Sequence, residues 1–438
     1  MRSILWINSL LSFLFLTSYG YQFVYLLYAL ANPGATAPVR RQTSLVPSGR
    51  RYAALICARN EEAVISGLLQ SLKAQTYPAD LLEVFVAADN CSDLTALVAR
   101  REGATVFERF DSTRVGKGYA LHFLLESLWA QRGRLAFDGY FIIDADNRLA
   151  PDFVAQMDSV YAQGYRVVTG YRASSNYGDN WISAGYSLWF LRESRFLNGP
   201  RMGLGTSCTV TGTGFLVHPD IFIKNGGWKH FLITEDVEFS TDCILAGERI
   251  AYSPNAVFYD EQPVRFSQSW RQRLRWCKGY LQVLRHYGLR LARGMVEPHG
   301  FACFDIIMSI LPALSIGLIG CTLNLGYGLW AALWEGGSLQ VLLGSFLGGI
   351  GHMYATLYFI GLTVTVAEWK RIACSPFKKL LYTFTFPLFT FTYLPISIAA
   401  LFQPVEWKPI YHGADARHPK KAGWLHLSRI RGKIEVPR

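Results

Sequence analysis

The chain opens on a run, Ile4 to Leu30, in which apolar and aromatic residues follow one another almost without interruption. That is longer than the core of a secretion signal and about what crossing a roughly 30 Å hydrocarbon layer requires. The run predicts a spanning helix, although the small residues of Ala29-Leu30-Ala31-Asn32-Pro33-Gly34-Ala35 also suit a cleaved signal. From Arg51 to about Tyr259 the pattern changes to short apolar, β-rich runs alternating with helical periodicity. Strands are predicted at Tyr52–Cys57, Leu82–Ala87, Thr105–Phe107, Tyr140–Ile143, Val167–Thr169 and Val257–Tyr259, and helices at Glu61–Ala74, Leu94–Glu102, Gly118–Trp129 and Val237–Ala246. Strands separated by helices of this length imply crossover units and a mostly parallel sheet covered on both faces, with ligands at the carboxyl ends of the strands.

Beyond Phe266 the pattern changes again. Trp270, Leu274, Trp276, Tyr280 and Leu284 interleave with Arg271, Arg273, Arg275, Lys278 and Arg285 as far as Arg293. This predicts an amphipathic helix at a bilayer surface; a solvated helix packed on the preceding domain has the same pattern. Further apolar segments run Cys303–Trp334, Leu339–Ala367 and Leu380–Phe402. Arg40, Arg41, Arg50 and Arg51 follow the first apolar run while only Arg2 precedes it, which places the following domain in the cytoplasm. The basic loop Lys370–Lys379 and the basic tail are expected inside, and Glu335–Gln340 outside. Three simple crossings would leave the tail outside. Either Cys303–Trp334 contains two elements, or the segment broken by Pro387 and Pro395 does not cross once. The expected organisation is therefore an N-terminal transmembrane helix (1–33), a cytoplasmic α/β domain (34–265), interfacial helices (266–300), a transmembrane region (301–403) and a cytoplasmic tail (404–438).

Composition agrees with a lipid-associated protein. The 438 residues are 51% hydrophobic, and the mean hydropathy is +0.17. A formal charge of +11 suits anionic headgroups and a nucleotide diphosphate, and without a basic low-complexity arm it does not favour nucleic acid. The eight cysteines form no CxxC or metal-like cluster, which indicates neither a disulfide framework nor a zinc site and puts the soluble part in a reducing compartment.

Four groups of residues carry candidate chemistry. Asp144 and Asp146, two apart after a strand, can turn both carboxylates to one cleft, as a divalent cation bound to a diphosphate requires; a polar turn has the same sequence. In Thr234-Glu235-Asp236, Asp236 with its neighbour Glu235 is the candidate base for an attacking hydroxyl, although Thr234 or Asp236 would also serve as a helix cap. The glycine-rich Thr211-Gly212-Thr213-Gly214 allows a close approach to a sugar or forms an ordinary tight turn. In Gln272-Arg273-Leu274-Arg275-Trp276, arginine offers paired donors to phosphate and tryptophan offers a face to a pyranose. Asp89 is a candidate for a base or ribose, and Lys117 for phosphates or simply for solvent.

Together with Ala58-Arg59-Asn60-Glu61-Glu62, these motifs make the sequence resemble the membrane-integrated family 2 glycosyltransferases, the group that includes cellulose, chitin and hyaluronan synthases. The resemblance implies a GT-A catalytic domain, a UDP-sugar donor and Mg²⁺ or Mn²⁺. It implies that Asn60, Glu61 and Asp89 line the nucleotide pocket and that Asp146 holds the metal with Asp144 on the nucleotide side. Asp236 would be the base, Arg275 and Trp276 would close over diphosphate and acceptor, and Thr211, Gly212 and Gln272 would lie toward the acceptor. The implied activity is inverting, processive transfer to a cell-surface polysaccharide at a bacterial plasma membrane. Transfer of one sugar to a lipid is the alternative, and a homo-oligomer or export partner would complete a channel.

Overall fold

A computed structural model describes residues 2–38, 45, 47–311, 313–334 and 339–405. Arg40, Arg41, the 335–338 part of the expected outer loop and the tail from residue 406 onward lie outside these residues. Eight strands form one sheet: β1 (Tyr52–Ala58), β2 (Leu82–Asp89), β3 (Thr105–Arg109), β4 (Gly139–Asp144), β5 (Arg148–Leu149), β6 (Val167–Ser174), β7 (Phe215–Val217) and β8 (Ile250–Asp260). Their order is β3-β2-β1-β4-β7-β6-β8-β5.

Successive side chains of a strand leave opposite faces, and β1 uses both. Ala53 and Leu55 join one apolar layer with Leu121, Leu124 and Leu128 of the helix Lys117–Arg132. Tyr52, Ala54 and Ile56 join the other, with Leu68, Leu69 and Leu72 of the helix Ile65–Lys73. A strand buried on both faces reads as a continuous apolar run, which is why β1, β2 and β4 were predictable.

The sheet is mostly parallel, as expected, but mixed. β3, β2, β1 and β4 are mutually parallel and β6 is parallel to β8, but β7 runs antiparallel to both β4 and β6, and β5 antiparallel to β8. β7 has three residues and β5 two, too few for a periodic signal. The antiparallel β7 matters to the site. Phe215 pairs with Ile142, so the glycine-rich segment preceding β7 arrives at the carboxyl end of β4.

The first apolar run is not one straight helix. It consists of Arg2–Tyr19 and Tyr21–Ala31, bent by 42° at Gly20. Cys303–Trp334 does contain two elements, Gly300–Ile310 and Ala313–Trp334. Pro376–Phe391 and Tyr393–Phe402 follow one another so closely that Pro376–Phe402 has the length and apolarity of a single span. Among the described residues, Phe346–Ala367 and Pro376–Phe402 are long and apolar enough to cross a membrane, and the bent N-terminal pair makes a third if it is one span.

The expected interfacial segment is a single helix, Phe266–Gly294. Its arginines do not all share a polar face: Arg273 is fully buried. Its Nη1 donates to the Thr392 hydroxyl at 2.6 Å and to the Phe389 carbonyl at 3.1 Å, and its guanidinium lies 4.4 Å from the Phe389 ring centroid. The helix is thereby bolted to the last apolar segment.

Candidate active site

Parallel register brings the carboxyl ends of neighbouring strands to one edge. Ala58 of β1 lies opposite Ala88, one residue before Asp89, and Cys57 lies opposite Asp144. β6 and β8 end at the same edge, where Arg172 and Asp260 pair. One cavity runs along this edge. Glu61, Asp89, Lys117, Asp144, Asp146, Thr211, Gly212, Glu235, Asp236, Gln272, Arg275 and Trp276 all line it, so residues separated by more than two hundred positions converge.

Asn60 is the exception among the expected site residues. It sits at φ +57° and turns its amide oxygen to the Ser92 backbone N–H at 2.8 Å, bracing the loop after β2 instead of lining the cavity. Asp89 is buried against Arg109 at 2.6 Å, an arginine that also holds Asp111 and the Arg114 carbonyl. Glu61 feels burial first and then the carboxylates of Asp146 and Asp144, which together push its carboxyl up to about 9.

Lys117 does not point into open space. Its ammonium is ion-paired with Asp144, donates to the Gly212 carbonyl at 2.6 Å and lies 3.9 Å from Glu235. Burial disfavours its charge, but the Asp144 and Glu235 carboxylates outweigh that and keep it protonated. Gly212 sits at φ +84°, a conformation that favours glycine, and an added Cβ would stand 3.6 Å from an Asp236 oxygen. Thr213 secures the same loop by accepting from the Asp144 N–H at 2.8 Å and donating to Asn147 at 2.5 Å.

Glu235 and Asp236 open the helix Glu235–Leu245, with Thr234 at the cap position making no side-chain capping bond. The cap alternative for Thr234 is therefore not realised. Burial raises both carboxyls, with Lys117 opposing; Glu235, beside Asp236, reaches about 7. The helix Phe266–Gly294 approaches this turn closely, since a Cβ on Gly279 would sit 2.4 Å from Thr234. That contact delivers Gln272, Arg275 and Trp276 to the cavity wall. Burial lowers the pKa of Arg275, against the pull of Glu235, Asp144 and Asp236. Trp276 packs edge-on to Tyr186 and Phe190, at 5.7 and 6.0 Å between centroids.

Residues 49–279 match the family described as glycosyltransferase like family 2. The chain belongs to this family. It is similar to a probable glycosyltransferase, YdaM, of Bacillus subtilis, 28% identical over 254 residues that cover 53% of this chain and 56% of that protein. It is also similar to the beta-monoglucosyldiacylglycerol synthase of Trichormus variabilis, 26% identical over 277 residues that cover 60% of this chain and 56% of the other. The chain thus spans about half the length of the curated relatives it matches. Among solved structures, the mannosyltransferase PcManGT of Pyrobaculum calidifontis, in complex with GDP-Man and Mn²⁺, is similar over 90% of this chain and 98% of its own, with a TM-score of 0.51 and 17% identity. That likeness shows the fold, which is GT-A-like.

The residues of this family 2 chain suit a divalent cation in the manner of a site shared with substrate. Among the described residues no three His, Cys, Asp or Glu side chains form a ready-made ligand cage. Asp144 and Asp146 nonetheless both offer hard oxygens to the cavity, and their carboxylates add to burial in pushing Glu61 up. One or two carboxylates completed by phosphate oxygens is the usual protein contribution to a Mg²⁺ site.

Several lining residues escaped the sequence. Arg172 donates from Nε to Asp260 at 2.9 Å and from Nη1 to the Thr211 carbonyl at 2.7 Å, with its guanidinium 3.5 Å from the Phe190 ring centroid. Glu193, Tyr280, Ile306 and Ile310 also line the cavity. Each lies outside any short motif, and only the topology brings it in.

Proposed function

We propose that this chain transfers one hexose or N-acetylhexosamine from a UDP-sugar, with inversion, to a hydroxyl of a lipid acceptor at the cytoplasmic face of the plasma membrane. The observation that carries this reading is the continuity of one cavity from Asp144, Asp146 and Asp236 to Ile306 and Ile310 of the apolar helix Gly300–Ile310. Its nucleotide end is polar and charged, and Ile306 and Ile310 add aliphatic surface to a wall that also carries Glu193 and Ser309. An acyl chain is matched by that aliphatic surface, whereas a growing glycan asks for hydrogen bonds along its whole length. This weighs against the polymer-extending activity expected from the sequence.

In the proposed reaction Asp236 accepts the proton of the attacking hydroxyl, and burial, which raises its carboxyl, makes it a stronger base than an exposed aspartate. Arg275 donates to the diphosphate as negative charge builds on it. Lys117 holds Asp144 and the Gly212 loop in register, and Trp276 gives the acceptor an apolar face. Asp146 with Asp144 would hold Mg²⁺ or Mn²⁺, which when bound neutralises the leaving diphosphate.

The test supplies purified protein in lipid bilayers with UDP-glucose, UDP-galactose, UDP-N-acetylglucosamine or UDP-glucuronate, with Mg²⁺ or Mn²⁺ or with chelator. A lipid carrying one sugar, formed only with metal, is expected. Polymer left in the aqueous phase would replace the lipid reading with chain extension, and no UDP release from any donor would remove the transferase reading.

A further inference from the structure

A carboxylate outside every motif lines the cavity within electrostatic reach of Asp236, the proposed base. Glu193 opens the π-helical stretch Glu193–Asn198 that continues the helix Trp181–Arg192. Such widened turns shift side-chain register and recur where a helix presents a functional group. Glu193 lines the cavity together with Trp189, Thr209 and Tyr280.

Three arginines act on Glu193 electrostatically, yet each is engaged elsewhere. Arg172 holds Asp260 and the Thr211 carbonyl. Arg192 donates to the Gln22 amide oxygen at 2.6 Å, and Arg201 to the two oxygens of Asp305 at 2.7 and 2.9 Å. Among the described residues the Glu193 carboxylate makes no hydrogen bond or ion pair. On the same cavity wall Gln272 keeps its Oε1 buried and without a partner. A carboxylate and an amide oxygen can only accept, so this part of the cavity calls for hydrogen-bond donors on the ligand. Gln272 Oε1 is the desolvated one, and an acceptor left so without a donor is costly; one attacking hydroxyl, spent on Asp236, satisfies neither it nor the half-buried Glu193.

We infer that Glu193 selects acceptors whose headgroup carries hydroxyls beyond the one attacked, favouring a polyol or sugar-bearing lipid over a lipid with a single free hydroxyl. This rests on the lipid-acceptor reading. A site built to bond a substrate hydroxyl discriminates strongly against the analogue lacking it, because its own polar atoms are then unpaired.

The experiment compares glucosyl-diacylglycerol with diacylglycerol of the same acyl chains, using full-length protein and whichever UDP-sugar releases UDP fastest. For the wild type, kcat/KM should favour the glucosyl lipid by roughly 100-fold, mostly through KM, well within what hydroxyl recognition supplies. Glu193→Gln should cut that ratio about tenfold and Glu193→Leu should bring it near 1, with UDP titration still showing binding. A wild-type ratio near 1 overturns the inference. So do variants that lose both lipids equally, and so does a Gln variant that no longer binds UDP, since either outcome marks a structural role. If neither lipid accepts sugar and polymer accumulates, the lipid reading itself falls and takes this inference with it.

Discussion

Lys117 is ion-paired to Asp144, and the same ammonium reaches the Gly212 carbonyl, so one side chain joins the end of β4 to the loop before β7. The sequence suggested a phosphate contact or a solvated lysine. The fold makes it an internal brace.

Removing that brace leaves Asp144 and Glu235 facing each other without a cation. Lys117→Met is expected to cost about 1–3 kcal/mol of stability, the penalty for orphaning partly buried charges, and to lower turnover roughly 100-fold by loosening the loop under the acceptor. Thermal unfolding and UDP release measured on the same preparation check both. Retained turnover would return Lys117 to a surface role.

Asp236→Asn removes a base while preserving shape. Transfer should fall by roughly 10²–10⁴, while the dissociation constant for UDP, read by calorimetry, stays within a few-fold. A large loss of UDP affinity would place Asp236 in the nucleotide pocket instead.

The pH profile follows from burial of the same pair. Glu235 is pushed up to about 7 and Asp236 is raised as well, so both hold their protons at higher pH than an exposed carboxylate. Because the base works in its ionised form, kcat/KM should rise with pH to a plateau that begins above the range of an exposed carboxylate and fall about tenfold per unit on the acid limb. Glu235→Gln removes a like charge and should move the inflection to lower pH. An unmoved inflection would separate Glu235 from the titration.

Away from the cavity floor, Asp305 receives Arg201 and the hydroxyls of Tyr21 and Tyr25, at 2.7 and 2.8 Å. It ties the N-terminal helix pair to the helix that ends the cavity. Asp305→Ala leaves a fully buried guanidinium unpaired and is expected to destabilise the protein by about 3–5 kcal/mol. The melting temperature in detergent reports it.

How much of this was legible in the chain depended on length scale. The strands bearing Asp89 and Asp144 announced themselves because burial on both faces demands unbroken apolar runs. The motif residues converged as their order suggested, apart from Asn60, whose side chain serves the neighbouring loop. What stayed hidden was set by contacts that have no periodicity. β7, only three residues long, reverses the sheet. Gly20 bends a run that composition reads as continuous. Arg273 and Arg275 look alike in sequence, but two steps along a helix turn a side chain by about 200°, which sends one to Phe389 and the other to the cavity. Glu193 sits between Arg192 and Arg195, where one more charge carries no signal until the fold shows what surrounds it.

The helix Phe266–Gly294 has 29 residues, a rod of roughly 44 Å, and it carries Arg275 and Trp276 on one side and the buried Arg273 anchor on another. On the proposed reading its anchor partner is embedded, so a tilt of that segment is levered into the cleft. Bilayer thickness then becomes a control on turnover, and rates compared between short-chain and long-chain phospholipids should differ while UDP affinity in the two does not.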